Sequence, residues 1–308
     1  IDIFKLEPDP KHKKSRYMVD GKSYKLEAKT VKLTVDLAKK PNKKFILSVG
    51  KKAWWSMYGA TVVTKQGMYA VRLASNMTIK SPEQWYRMNK SKNFTEFRHA
   101  LDMQGIVNQN IIYGDKYDTI FIISNGAMPK REPGYDWTTT VQGNTMKTLW
   151  TEFLPEDSLA QTLNPACGYV FNANQTSYQQ TAMAENPKPE NINPRIGYGL
   201  EENNRSRRFY ENIAQYEGKK ISWDEFLKIK YDAKYPAKPA FLKKFDIYDI
   251  FDLKEADYPE IAEELRLLHK WNRSTDVKDT LATFFIKVMY QLYNNCNGEQ
   301  EKLYATDA

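Results

Sequence analysis

The hydrophobic period of this chain changes along its length, and that change limits the folds the chain can adopt. In the first part, polar and apolar residues alternate, as over residues 30–35, which is typical of a strand with one solvent-facing side. Asp20 and Gly21 separate two short extended segments, and an Asp-Gly pair in this position predicts a tight hairpin turn. Residues 58–63 and 68–73 have the composition of a second strand pair, and Trp54 and Trp55 before it are expected to pack in the core. The first part of the chain is therefore predicted to be rich in β-structure.

Helical spacing appears further along the chain. From residue 82 to residue 103, apolar residues recur at intervals of three and four, which predicts two helices separated near Ser91. Strand-like sequences return over residues 109–115 and 119–123, and a loop rich in Pro and Asn covers residues 186–194. The predicted helices beyond this loop are residues 206–216, a helix opened by Ser222, residues 259–271 and residues 279–293. The pattern as a whole predicts an α+β fold with a mostly helical C-terminal portion.

Composition excludes several classes of function. The 308 residues carry a net charge of +8, but the basic residues are dispersed. The tightest basic cluster, residues 11–16, follows a Pro-Asp-Pro run and is interpreted as a solvated loop. The two cysteines have neither metal-type nor redox spacing, and no apolar run reaches transmembrane length. We therefore expect neither nucleic acid nor a membrane as a partner.

Several short sequence motifs carry the strongest resemblance of this chain to a known protein family. Asn-Ile-Ile-Tyr-Gly-Asp occupies residues 110–115, Asn-Gly-Ala-Met-Pro-Lys-Arg residues 125–131, and Asn-Ala-Asn residues 172–174. With Arg205 and Trp-Asn-Arg at residues 271–273, they resemble, in order and spacing, the large chain of the penicillin amidase family of acylases. These acylases are N-terminal-nucleophile hydrolases. The resemblance therefore implies an α+β fold that contains part of an αββα layered sandwich.

The same resemblance implies a division of the chain and a chemistry. Residues 1–205 would form the β-rich part of the core, and residues 206–308 a mostly helical segment of the same large chain. The implied reaction is amide hydrolysis through an acyl-enzyme. Asn174 would donate its amide N–H to the developing oxyanion, an interaction worth about 3–4 kcal/mol. The alternative is a structural loop Asn that caps nearby backbone.

Two further site residues follow from the alignment of motifs. Arg205 would be the family's charged residue near the nucleophile's amine; the alternative is an exposed Arg at a helix start, in a cluster with Arg207 and Arg208. Gln109 stands where relatives have an apolar residue that lines the acyl pocket. A Gln there predicts a smaller or more polar acyl group, because buried polar atoms need partners.

A calcium site is also implied. Ile1-Asp2-Ile3-Phe4 resembles a calcium-binding element of some family members, in which the first residue supplies a backbone carbonyl and the second a carboxylate. Both are hard oxygen ligands of the kind that Ca²⁺ prefers. The resemblance therefore predicts Ile1 and Asp2 as metal ligands, and the alternative is an Asp that begins a strand.

The nucleophile is the feature expected from the family and not found here. In these enzymes it is a Ser, Cys or Thr that begins the large chain and uses its own α-amine as base, whereas Ile1 has neither hydroxyl nor thiol. We therefore expect a part of a large chain that lacks its N-terminal Ser and is inactive alone. Its expected partners are a small chain, the remainder of the large chain and a small-molecule amide substrate.

The family implies a periplasmic location, and open strand edges predict self-association of the isolated piece. One alternative is a non-catalytic binding or scaffold module with the same fold. A weaker alternative, a basic nucleic-acid binder, is supported only by net charge.

Overall fold

A computed structural model describes residues 1–38, 43–240 and 251–295 of the chain, without the side chains of residues 292–295. The strands are β1 (Asp2–Pro8), β2 (Arg16–Val19), β3 (Lys22–Lys25), β4 (Glu27–Asp36), β5 (Ile46–Ser56), β6 (Gly59–Val63), β7 (Met68–Arg72), β8 (Gln109–Gly114), β9 (Ile120–Asn125), β10 (Val141–Gln142) and β11 (Gln161–Leu163). The helices are α1 (Ser81–Lys90), α2 (Phe94–Leu101), α3 (Asn204–Ile213), α4 (Trp223–Lys230), α5 (Ala262–Lys270) and α6 (Thr280–Asn295), with several short 3₁₀ turns between them. The predicted mixture of helix and sheet is confirmed.

The chain divides into two compact units. The first contains residues 1–109, 124–159 and 189–197, and the second contains residues 110–123, 160–188 and those from 198 onward. Residues 241–250 and 296–308 of the predicted helical segment lie outside the described residues. These units reflect contacts within the chain and do not test a boundary at residue 205, which stays a prediction.

The first unit is built on one large sheet with the strand order β3-β2-β1-β7-β6-β5-β4, and β10 also pairs with β1. The hairpin predicted at Asp20 and Gly21 joins β2 to β3, and both residues have the positive φ angles that this turn needs, 45° and 75°. The strand predicted over residues 30–35 lies within β4, and the predicted pair over residues 58–73 forms β6 and β7. The alternation of polar and apolar residues therefore predicted these strands correctly.

One face of β1 enters the core of this unit. Asp2, Phe4 and Leu6 alternate as buried residues along the strand, and the two apolar side chains pack in a cluster that includes Tyr17 and Tyr58. The same alternation that buries Phe4 and Leu6 also buries the Asp2 carboxylate. A buried carboxylate is costly unless it is paired, so the surroundings of Asp2 must supply a partner.

The β4–β5 hairpin has little covering. All of β4 and most of β5 are exposed. The register places Leu33 opposite Val49 and Val35 opposite Leu47, and these four apolar side chains share one face because side chains alternate along strands. At the base of the hairpin, Trp54 and Trp55 were both expected in the core. The prediction is wrong for Trp55, which is 38% exposed, because adjacent strand residues face opposite sides.

Helices α1 and α2 complete the first unit. They are separated at Ser91, as predicted, and Asn93 accepts the backbone N–H of Glu96 at 2.9 Å to begin α2. In the second unit, β8, β9 and β11 form a three-stranded sheet in the order β11-β9-β8. A separate apolar cluster joins α5 to α6, where the rings of Trp271 and Phe285 stack with centroids 3.8 Å apart. No helix within the described ranges has the length and apolarity of a membrane span.

Candidate functional site: an amide and guanidinium pair

The first turn of α3 determines where Arg205 lies. Asn203 caps the helix, since its side chain accepts the backbone N–H of Ser206 at 2.9 Å, and the Ser206 hydroxyl lies 3.3 Å from the backbone N–H of Asn203. The helix was predicted to begin at residue 206. It begins at Asn204, two residues earlier, because the side chain of Asn203 caps it. Arg205 is therefore the second residue of a capped helix rather than part of a loop.

The loop that carries Asn174 is held by its own side chains. Asn174 has a left-handed backbone with a φ angle of 56°, which Asn tolerates better than most residues. Asn172 Oδ1 accepts the backbone N–H of Asn174 and the side-chain N–H of Asn110, both at 3.0 Å. These bonds fix the turn that presents Asn174 and connect it to β8.

Two further side chains hold the backbone on either side of Asn174. Asn203 Nδ2 donates to the carbonyl of Ala173 at 3.0 Å, so the residue that caps α3 also binds the loop. Gln175 is buried and donates to the carbonyl of Phe171 at 3.2 Å, while its oxygen accepts the N–H of Ala173. The loop and the start of α3 therefore form one hydrogen-bonded assembly.

The predicted catalytic residues meet directly. Arg205 Nη2 donates to Asn174 Oδ1 at 3.1 Å. A guanidinium has donors only, so the atom of the Asn174 amide that faces it must be the oxygen. The Asn174 NH₂ group is then directed away from Arg205, and it has no acceptor among the residues that the structure describes. Arg205 thus orients a free amide donor.

Aromatic stacking fixes the position of Arg205 relative to the loop that carries Asn174. Phe209 stacks on Phe171 with ring centroids 4.0 Å apart and an interplanar angle of 14°. Residues four apart lie on the same face of a helix, so Phe209 and Arg205 project from α3 toward the same loop. Phe171 in turn lies three residues before Asn174. One apolar contact and one polar contact, a single helical turn apart, hold the pair together.

The neighbouring arginines have partners that differ from that of Arg205. Arg207 Nε donates to Glu202 at 2.7 Å, and Arg208 Nε donates to Asp232 at 2.7 Å. Arg205 has no acidic partner within the described ranges. Its exposed guanidinium therefore faces the amide of Asn174 without a neutralising carboxylate, which strengthens that amide as a donor.

Gln109 and Ile1 are not brought to this pair by any described contact. Gln109 is an exposed residue at the start of β8 and belongs to the first unit, whereas Asn174 and Arg205 belong to the second. Its role in the acyl pocket stays a prediction. Ile1 is 82% exposed.

Asp2 is a buried ion-pair partner. Arg131 donates to both of its oxygens, from Nη2 to Oδ1 at 2.9 Å and from Nε to Oδ2 at 3.0 Å. Trp150 Nε1 adds a third bond to Oδ2 at 2.7 Å. This carboxylate does not fit a calcium ligand, because its oxygens are already bound to a cation and an indole. Calcium at Ile1 and Asp2 stays an untested prediction that the geometry opposes, and no step below depends on it.

Several residues of these sites had no role assigned from sequence. They are Asn110, Asn172 and Asn203 around the Asn174 loop, and Arg131 and Trp150 around Asp2. The sequence motifs around these residues could be recognised. A hydrogen bond between residues 62 positions apart, as between Asn110 and Asn172, produces no local pattern from which it could be predicted. Only the cap at Asn203 had a readable signal, an Asn three residues before Ser206.

Comparisons with known proteins bear on the fold and the family of this chain. The sequence profile of the penicillin amidase family matches residues 1–305. Penicillin G acylase of Escherichia coli is 29% identical over 178 residues, which are 56% of this chain and 20% of that protein. A solved structure of a thermostable penicillin G acylase from Alcaligenes faecalis superposes with a TM-score of 0.65 and 18% identity, covering 90% of this chain and 46% of that one.

The structural likeness confirms the predicted α+β fold of the N-terminal-nucleophile hydrolases, and the chain spans less than half the length of either relative. Because the family profile covers nearly all of its residues, the chain belongs to the penicillin amidase family.

Proposed function

We propose that the protein containing this chain hydrolyses a linear amide through an acyl-enzyme, and that Asn174 stabilises the tetrahedral intermediate. The observation that carries this proposal is the bond from Arg205 Nη2 to Asn174 Oδ1, which leaves the Asn174 NH₂ free to donate. A preorganised amide donor is the group that an acyl-transfer site needs, because charge develops on the former carbonyl oxygen. The reaction type, amide hydrolysis, is inferred from the family to which the chain belongs.

Arg205 is a positioning residue in this proposal. Its guanidinium holds the oxygen of the Asn174 amide, so that the NH₂ group faces the developing oxyanion, and its charge polarises that amide. The Asn174 side chain has no ionisable group, so the pH dependence of turnover would come from the nucleophile and its base.

The nucleophile is proposed to lie outside these 308 residues. The hydrogen bonds described for Asn174 and Arg205 include no Ser, Thr or Cys side chain. A Ser at the N-terminus of the processed large chain, with its own α-amine as base, would complete the site. The 308 residues alone would then have no turnover, and a small chain and the rest of the large chain would be required partners.

Two attributes rest on the family alone and are proposed with it. The substrate would be a small amide such as penicillin G, on which the relatives are named to act. The location would be the periplasm, which osmotic-shock fractionation of the source cells would test: recovery of the protein with cytoplasmic markers would contradict it.

The test uses the complete natural protein and a set of chromogenic amides that differ in acyl group. Mass spectrometry after brief exposure to substrate should find the acyl group on the first residue of the large chain, and that residue should be Ser. A first residue other than Ser, Cys or Thr, together with no hydrolysis of any amide, would favour the binding or scaffold module instead.

Residues 1–308 expressed alone provide the control for the missing nucleophile. They should bind no acyl group covalently and release no chromophore. Turnover by this piece alone would show that a nucleophile lies within it and would contradict the proposed division of the site.

A further inference from the structure

We propose that Arg131 takes the place of a calcium ion at Asp2, so that this corner of the first unit is cross-linked without a metal. The inference concerns the start of β1 and does not depend on the proposed reaction. It begins from the mismatch between a carboxylate expected to bind calcium and the partners that this carboxylate has.

The oxygens of Asp2 are already engaged. Three donors reach them, two from Arg131 and one from Trp150, at 2.7–3.0 Å. The ion pair is almost fully enclosed, with side-chain exposures of 8% for Arg131 and 1% for Asp2. A calcium ion would need the same oxygens at about 2.3–2.6 Å, and it would displace donors that are bound inside an almost fully enclosed site.

The local charge also opposes a divalent cation. Arg131 neutralises Asp2, and the strand partner of Asp2 in β7 is a second arginine, Arg72. The Arg72 guanidinium lies over the ring of Trp150 at 4.6 Å and donates to the Trp150 carbonyl at 3.0 Å. Arg131 already balances the charge of Asp2, and the second guanidinium is held on Trp150, the other donor to Asp2, so adding Ca²⁺ would place like charges together in a poorly solvated site.

The described residues offer few further oxygen ligands. Calcium takes six to eight of them, and no group of three or more Asp, Glu, His or Cys side chains that could hold a metal occurs within residues 1–38, 43–240 and 251–295. Within these residues, the two acidic oxygens of Asp2 would have to be supplemented almost entirely by backbone carbonyls.

Arg131 cross-links separate segments of the chain, as a structural metal ion does in other proteins. Besides Asp2 in β1, it donates from Nη1 to the carbonyl of Ile196 at 3.0 Å and to that of Arg195. Its guanidinium therefore joins the start of β1, the segment after β9 and the turn at Pro194–Ile196. These three segments are far apart in sequence, and all three belong to the first unit.

The experiment is thermal unfolding of the complete natural protein in EDTA and in millimolar CaCl₂. We expect the same Tm in both. Asp2→Asn and Arg131→Met should each lower the folded-to-unfolded ratio on the order of a hundred- to a thousand-fold, because each leaves a buried partner uncompensated. The double variant should lose much less than the product of the two single losses.

Matched variants keep the result interpretable. Asp118→Asn makes the same charge change in an exposed turn and should leave Tm unaltered. If Arg131→Met does not fold, Arg131→Lys keeps the charge without the two-pronged geometry and should show a smaller loss that calcium does not restore. A calcium effect that persists in Asp2→Asn would place the ion elsewhere and support the proposal. A rise in Tm with calcium that Asp2→Asn abolishes and Asp118→Asn retains would overturn it.

Discussion

A double-mutant cycle on Asn174 and Arg205 tests the candidate site most directly. The deletion of the donor should be Asn174→Gly rather than Asn174→Ala. The φ angle of 56° at this position suits Gly, whereas Ala would add about 1–2 kcal/mol of backbone strain unrelated to catalysis. Arg205→Met keeps the length of the side chain and removes its bond to the Asn174 amide.

The two losses should differ in size. Loss of one oxyanion donor costs about 100- to 1,000-fold in kcat, or about 3–4 kcal/mol. Loss of Arg205 leaves the donor present but frees its amide to rotate. A bond from a charged donor is worth about 1–2 kcal/mol at an exposed site, so Arg205→Met should cost about 5- to 30-fold.

The decisive quantity is the kcat of the double variant. If Arg205 acts through Asn174, its removal costs nothing further once Asn174 is gone, and the double variant should match Asn174→Gly within about three-fold. If Arg205 instead acts on the nucleophile's amine, as the family resemblance implies, the losses should multiply. Steady-state kcat on a chromogenic amide, measured with the complete natural protein, distinguishes the two.

Arg207→Met is the matched control for the cycle. It removes the same charge two residues along α3, where the partner is Glu202 rather than Asn174, so kcat should stay within about two-fold of the unmodified protein. An Asn174→Gly variant that keeps kcat within five-fold would refute the oxyanion role of Asn174, whatever the arginines do.

Three further predictions concern other parts of the chain. Residues 1–308 alone should self-associate through the apolar face of the β4–β5 hairpin; in sedimentation experiments Leu33→Lys should shift them toward monomer, while Thr34→Lys, on the other face, should not. Burial raises the pKa of the Glu156 carboxyl above its usual 4.5 even though Arg98 donates to it at 3.0 Å. A raised folded pKa contributes stability that is present below about pH 4.5 and lost as pH rises through the folded value; the stability of the native protein relative to Glu156→Gln should therefore fall with increasing pH in urea titrations, and a relative stability that rises would contradict the assignment. Gln109→Leu should raise kcat/KM for longer apolar acyl groups about ten-fold relative to small polar ones, and an unchanged preference would remove Gln109 from the acyl pocket.

Local patterns predicted local structure well. The Asp20-Gly21 hairpin, the break between α1 and α2 at Ser91 and the capping box at Ser222 each depend on residues within a few positions of one another, and each is confirmed. Alternation along β1 puts Asp2 on the same side as Phe4. What alternation does not encode is the partner, because Arg131 is 129 positions away in sequence.

The candidate site was predictable only through the family resemblance. The motifs identified Asn174 and Arg205, but neither composition nor period indicated that the two side chains would bond to each other. The bond depends on the stacking of Phe209 on Phe171 and on the cap at Asn203, both of which are tertiary contacts. The acidic partners of Arg207 and Arg208 are likewise tertiary contacts that the spacing of the three arginines does not predict.

The one-turn relation between Arg205 and Phe209 has a consequence for how this part of the chain can change in evolution. The helix and the loop meet at two points, so the three-residue interval from Phe171 to Asn174 must match the four-residue interval along α3. Substitution at either point weakens one contact. Insertion of a single residue between Arg205 and Phe209 would rotate one contact by about 100° around the helix axis relative to the other, and an insertion between Phe171 and Asn174 would change the distance between the two contacts on the loop. We therefore expect the spacing of these residues to be as constrained among relatives as their identity.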